Sequence, residues 1–322
     1  MRPDPLTTAA LCLAAVAIAA CDPTLPPAPP HALVVPDVHA VPISVCWAEY
    51  AHDTAPGSYG LAGDSDELHW DITFSGLVIR HPRGDLVVDV GNSSHFADEI
   101  ATSSLVPRLR QRLLQGSATL DARAPDALRS VGVDPSSLRA IALSHVHADH
   151  AGGALDLPGI PVLLSAEEIA FVAAERGRGG FHVVRAQADA IAPRARPIQF
   201  SPVPYETFDV SADYFGDGSV VFVPLPGHTP GSVGTFVNRS KHERYFHVGD
   251  AVDTIEAIEK RRGKGTLLEG TDVDSAQADR AVAKLTQLRA VDPELVILPA
   301  HDRKAWRAAF GAPGRCVGGP VR

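Results

Sequence analysis

The chain of 322 residues is poor in cysteine (four), methionine (one), tryptophan (three) and lysine (five of its 29 basic residues). No C-x-x-C pair occurs, so a dithiol redox motif is excluded. Positive charge is the scarcer sign, 29 Lys and Arg against 38 Asp and Glu for a net −9. That balance leaves no clustered basic footprint for nucleic acid or for an anionic membrane face. No apolar run reaches the roughly 18 residues needed to span a bilayer. The G-x-S-x-G, G-x-G-x-x-G, Walker and H-E-x-x-H patterns are also missing, which leaves serine-nucleophile and dinucleotide chemistry without residues. What remains is a globular composition, 45% hydrophobic and 21% charged, that excludes wholesale disorder. The length allows one large or two ordinary domains.

The N-terminus reads as an export signal over residues 1–20. Arg2 supplies a thin charged start offset by Asp4, and Leu6 to Ala20 form an apolar stretch too short to span. It ends in Ile18-Ala19-Ala20-Cys21, which resembles a lipobox whose cysteine is lipidated. A plain secretory signal cut after Ala20 is the alternative, and both export the protein. Residues 21–67 read as a proline-rich tether and N-terminal extension, with seven prolines between 23 and 42 favouring extended conformations. The expected location is therefore periplasmic or at the cell surface, lipid-anchored to a membrane. Cys46 and Cys316 flank the domain and, in an oxidising compartment, either form one bridge or stay as two thiols.

Beyond residue 68, short β-type runs alternate with helical stretches. Ile72 to Arg80, Leu86 to Val88, Arg139 to Ser144, Val162 to Ser165, Val220 to Val223, Tyr245 to Val248 and Leu295 to Leu298 read as strands. Ala97 to Leu114, Glu167 to Glu175 and Asp274 to Ala290 read as helices, the last with Thr271 or Asp272 as a possible cap. This mixture predicts an α/β layered domain over residues 68–312, with a tail at 313–322.

Ser144-His145-Val146-His147-Ala148-Asp149-His150-Ala151-Gly152-Gly153 carries the chemistry. It follows a strand-like run and places four possible metal ligands within six residues. His145 and His147, two apart in extended chain, project to one side. Asp149 and His150 turn into the next loop, where they can serve a second metal. Imidazole and carboxylate together suit Zn²⁺. Further ligand types lie just past later strands: His228 in Pro226-Gly227-His228-Thr229-Pro230-Gly231, Asp250 in Gly249-Asp250, and His301 in Ala300-His301-Asp302. Strand ends are where α/β architectures gather site residues. His69, His182 and His242 are read as ordinary core histidines, and Lys260 to Lys264 as a solvated basic loop. Tyr214 and Phe215 could contact an acyl chain, or simply pack.

These motifs resemble the metallo-β-lactamase superfamily over about residues 68–310. The resemblance implies an αββα sandwich, a single catalytic domain, with two zinc ions at one edge (other divalent metals being possible). His145, His147 and His228 would hold one ion, and Asp149, His150 and His301 the other. Asp250 would bridge them, and Asp89 would support the ligand shell. Two cations sharing a water lower its pKa and supply a bridging hydroxide; Asp149 is then the catalytic proton shuttle. Hydrolysis of a small-molecule ester or lactone follows, and the Gly-His-Thr-Pro-Gly turn and the His301-Asp302 pair look like the N-acyl-homoserine lactonase group. One departure is Asp253, where lactonases of that group carry a tyrosine. A phosphotriesterase or aryl-ester hydrolase of the same fold is the alternative, and a non-catalytic lipoprotein binding module is the alternative of another class.

Overall fold

The computed structural model describes residues 24–319, apart from 35, 102, 104, 116–117 and 179–181. The segment read as an export signal, and Cys21, the residue expected to carry lipid, therefore lie outside the described residues. The chain first lays down β1 (Ser44–Pro56), β2 (His69–Arg80), β3 (Leu86–Val88), β4 (Thr119–Leu120), β5 (Ala140–Ala142), β6 (Val162–Leu164) and β7 (Ala195–Pro197). It continues through β8 (Ala212–Asp213), β9 (Val220–Pro224), β10 (Val233–Ser240), β11 (Glu243–Gly249) and β12 (Val296–Pro299), and ends on β13 (Cys316–Val317). One sheet is ordered β13-β1-β2-β3-β5-β6-β7, with β4 attached to β1; the other is ordered β12-β11-β10-β9-β8.

Alternating side chains explain why the sheets stack. Along β1, Val45 and Trp47 face the second sheet while Cys46, Ala48 and Tyr50 face helices. Along β9, Val220 and Phe222 point inward while Val221 and Val223 meet the opposite helical layer. Both faces of each sheet are thus buried, which is why these strands read as continuous apolar runs. The helices Ala124–Ser130 and Ala166–Arg178 cover one outer face, and Ile255–Lys260 and Ser275–Val291 the other. The result is the four-layered α/β/β/α sandwich expected from the motifs.

The same topology positions the site. Strands β3, β5 and β6 are parallel, as are β11 and β12. Their C-terminal ends therefore open at one edge, carrying Asp89, His145, Asp250 and His301 in the loops that follow.

Several elements differ from the sequence expectation. Residues 44–56, placed ahead of the domain, form β1 and pair with β2 from Ser44↔Arg80 to Pro56↔His69. Cys316–Val317, placed in the tail, pairs with the other edge of β1, and Cys46 and Cys316 are joined in a disulfide. The proline-rich segment from residue 24 is laid on the domain surface rather than held away from it. Leu25 N–H donates to Arg261 O at 2.8 Å, and Val34 exchanges bonds of 2.9 and 3.0 Å with Glu206. The expected helix over 97–114 is two helices, Phe96–Ala101 and Leu105–Gln115. Pro107 explains the break: it cannot donate to a preceding turn, but it fits the first turn of a new helix, where its N–H would be unused.

Candidate metal centre

All seven ligand-type residues named from sequence converge at the sheet edge. His145 Nε2 lies 3.1 Å from His147 Nδ1, which lies 2.8 Å from His228 Nε2. Asp250 Oδ2 faces this trio, 3.3 Å from His228 Nε2 and 3.8 Å from His145 Nε2. The other oxygen, Asp250 Oδ1, faces a second set: His150 Nε2 at 3.1 Å and His301 Nε2 at 3.2 Å. Asp149 Oδ2 completes that set, 3.3 Å from His301 Nε2 and 3.6 Å from His150 Nε2. The donor atoms of each set fall within 4.8 Å of one another.

The arrangement fits a pair of divalent cations. His150 Nε2 and Asp250 Oδ1 are buried, 3.1 Å apart, and yet make no hydrogen bond. Polar atoms so placed face a common point rather than each other, and leaving them without a partner in the interior is costly. Nitrogen and carboxylate donors in sets of three and four match zinc chemistry.

Outer partners fix which imidazole nitrogen faces inward. His150 Nδ1–H donates to Asp89 Oδ2 at 2.8 Å, His301 Nδ1–H to the Thr73 carbonyl at 2.8 Å, and His228 Nδ1–H to Asp272 Oδ1 at 2.7 Å. In each ring this leaves Nε2 toward the centre, the atom that can ligate a metal once any proton on it is displaced. Asp89 also accepts from the Ser144 N–H and hydroxyl, both at 2.7 Å, just before His145. Its φ of +59° is unusual for a residue with a side chain. Tyr50 hydroxyl donates to the Asp89 carbonyl and holds that turn.

Charge within the centre is uneven. Burial, helped by neighbouring imidazoles, holds His145 and His147 well below the usual histidine range. Burial opposes protonation of His301 too, but the Asp250 and Asp149 carboxylates outweigh it and raise that ring to about 10. His150 is held well above its ordinary value against burial by Asp250, Asp149 and Asp89. Asp250 in turn is held well below the carboxylate range, burial opposing and His150 and His301 prevailing.

An open cleft of about 220 Å³ leads to the centre, floored by His147, Asp149, His228, Asp250 and His301. One wall is apolar, with Trp70, Ile72, Phe74, Leu113 and Leu268, and Asp253 also lines the cleft. An apolar wall facing a floor of polar, ligand-type groups is the layout of a small-molecule site.

Sequence reasoning missed part of the shell. Lys264, read with its neighbours as a solvated loop, is buried, and its Nζ lies 2.8 Å from Asp272 Oδ1 and 2.9 Å from His228 Nδ1. Asp272 supports His228 instead of capping a helix; the cap of Ser275–Val291 is Asp274. His182, read as a core residue, packs its ring 6.2 Å from that of His147. His69 and His242 are exposed rather than core. Tyr214 and Phe215 do not line the cleft; Phe215 stacks on His81 in the core between the sheets. No local spacing marks Lys264 or Asp272, because only the tertiary fold brings them to His228.

The sequence matches the family described as Metallo-beta-lactamase superfamily over residues 70–301. Among curated proteins, an N-acyl homoserine lactonase AttM of Azorhizobium caulinodans is 25% identical over 256 residues, covering 76% of this chain and 88% of that one. A probable metallo-hydrolase of Mycobacterium tuberculosis is 28% identical over 200 residues, covering 56% and 60%. Among solved structures, a Bacillus thuringiensis AiiA mutant with N-decanoyl-L-homoserine at its active site superposes with a TM-score of 0.61. It is 16% identical, and the match covers 84% of this chain and 96% of that one. AidC, described as a dizinc quorum-quenching lactonase, gives a TM-score of 0.57 at 17% identity, covering 84% and 90%. Family match, fold and metal-competent edge agree, and the chain belongs to the metallo-beta-lactamase superfamily as one of its metallo-hydrolases.

Proposed function

We propose that the protein is a two-zinc hydrolase of lactones or closely related esters, of the N-acyl-homoserine lactonase type. The observation that carries this reading is Asp250, whose two oxygens face two separate donor sets at the floor of a cleft with an apolar wall. His145, His147 and His228 would hold one ion, Asp149, His150 and His301 the other, and Asp250 both. A bound pair of divalent cations lowers the pKa of water toward neutrality and polarises a carbonyl oxygen. The chain's own residues supply the rest. Asp149 lines the cleft with Oδ2 held by His301 and His150. From there it takes the proton of the attacking water and returns it to the leaving oxygen. Trp70, Phe74 and Leu268 shield the reacting carbonyl from bulk water and receive an acyl chain.

Asp253 supports the second reading, hydrolysis of aryl esters or phosphotriesters. It places a carboxylate in the cleft where lactonases of the group carry a tyrosine. The test is a hydrolysis panel of acyl-homoserine lactones, aryl esters, phosphotriesters and a cephalosporin with zinc-loaded protein. Turnover of lactones above the others supports the first reading. A zinc-loaded protein inert toward the whole panel refutes both.

Export and lipid attachment at Cys21 belong to the same proposal, supported by Ile18-Ala19-Ala20-Cys21 and by the disulfide, which suits an oxidising compartment. The mass of the mature N-terminus tests it: a diacylglyceryl-modified Cys21 is expected, and an unmodified Cys21 contradicts the anchor.

A further inference from the structure

The helix Ala166–Arg178 is entered through Ser165-Ala166-Glu167-Glu168, the sequence form of a capping box. In that motif the serine accepts a bond from the backbone three residues on, and the glutamate folds back onto the serine N–H. Only the first half of the motif is made. Ser165 Oγ accepts from Glu168 N–H at 3.0 Å, and its own hydroxyl donates to the Gly231 carbonyl at 2.7 Å. The Glu168 carboxylate leaves the helix instead. Its Oε1 accepts from Val146 N–H at 2.9 Å, and its Oε2 accepts from the Thr229 hydroxyl at 2.7 Å and from Gly231 N–H at 3.1 Å.

Those three donors belong to two loops that meet only in the folded protein. Val146 lies between His145 and His147, and Thr229 follows His228. Glu168 is fully buried, and its three hydrogen bonds include no cation. A carboxylate in such a place is expensive unless its oxygens are fully used. The close approach is built in: a Cβ on Gly231 would come within 2.1 Å of the Glu168 backbone nitrogen. The second donor set is braced by different groups, with Asp89 behind His150 and the Thr73 carbonyl behind His301.

We propose that Glu168 is a positioning residue for one half of the centre, holding His145, His147 and His228 in register while leaving Asp149, His150 and His301 to other supports. This rests on the metal-centre reading above. The test is a zinc titration against a competing chelator with wild type, Glu168→Ala, Glu168→Gln and Thr229→Val, each checked for folding by circular dichroism without metal. Wild type is expected to bind two ions. Glu168→Ala should weaken one of them by about 10- to 100-fold and leave the other unchanged. Glu168→Gln sets an amide NH₂ against the Gly231 N–H and should weaken the same ion less. Thr229→Val removes the hydroxyl's bonds to Glu168 and Ser232 and leaves the helix sequence intact, so it keeps the question answerable if Glu168→Ala does not fold. Cobalt substitution reads the two halves separately, and only one absorption envelope should change. Equal weakening of both ions, or of neither, overturns the proposal. A wild type that binds no metal pair sinks the metal-centre reading first, and this one with it.

Discussion

Asp250 is buried among four imidazoles, and its charge is tolerable only because those rings, or cations in their place, surround it. That has a consequence for the metal-free chain. His301, raised to about 10, carries a proton at neutral pH, and its pairing with Asp149 and Asp250 stabilises the fold. Because the folded value lies above the ordinary 6.5, this contribution is complete below pH 6.5 and is lost as pH rises through about 10. Asp250 acts oppositely: its lowered value stabilises above the ordinary 3.8 and is lost as pH falls below it. A metal ion must displace the His301 proton, and that of His150, which is also held above its ordinary value, so zinc affinity at that half should rise by at least about tenfold per pH unit between 6.5 and 9. Chelator competition at several pH values measures it, and a flat profile contradicts a protonated His301 in the metal-free chain. At this scale the sequence was legible where ligands are local. Four of the seven cluster residues sit within six positions, and the other three follow recognisable strands. Lys264, Asp272 and Glu168 were illegible, because their partners lie 8 to 63 residues away in the chain.

Strand identity was readable where both faces are buried, since β3, β6 and β9 are unbroken apolar runs. It failed for β10, whose Gly234 and Asn238 interrupt the pattern. Both have tertiary reasons. A Cβ at 234 would strike the Phe246 ring at 2.5 Å, and Asn238 donates to the Gly218 carbonyl and the Tyr205 hydroxyl. It failed again for β1, whose alanines and Glu49 hide a strand buried on both sides. Glu49 is kept inside by Arg303 and Thr73. Phe222 on β9 fills the space between the sheets and is 1% exposed. Phe222→Ala should cost about 3–5 kcal/mol, read as a lowered urea midpoint with an unchanged slope. A loss under about 1 kcal/mol would mean that the inter-sheet core is not packed as described.

Across the whole molecule, the two edges of the domain sequence are brought together by β13 on β1 and by the Cys46–Cys316 bridge, which spans a sequence separation of 270 residues. Sequence alone left bridge and free thiols open, because spacing cannot report whether two ends meet. A loop this long loses much conformational freedom when closed, so Cys316→Ser or full reduction should cost about 2–5 kcal/mol. Thermal unfolding with and without reductant measures this, and an unchanged midpoint would show that the bridge constrains nothing. The proline-rich stretch is a second whole-molecule surprise. Its prolines forbid regular ladders, yet Leu25 and Val34 still pair with Arg261 and Glu206, an arrangement that local composition does not encode.

The two-metal centre is the claim on which the rest depends, and Asp250 is where its halves meet. Zinc content by elemental analysis of the wild-type chain and of Asp250→Ala tests it most directly. The expected result is about two ions per wild-type chain and a clear loss in the variant, with hydrolysis falling at least about 100-fold alongside. An Asp250→Ala protein that keeps both ions and full turnover would contradict the account.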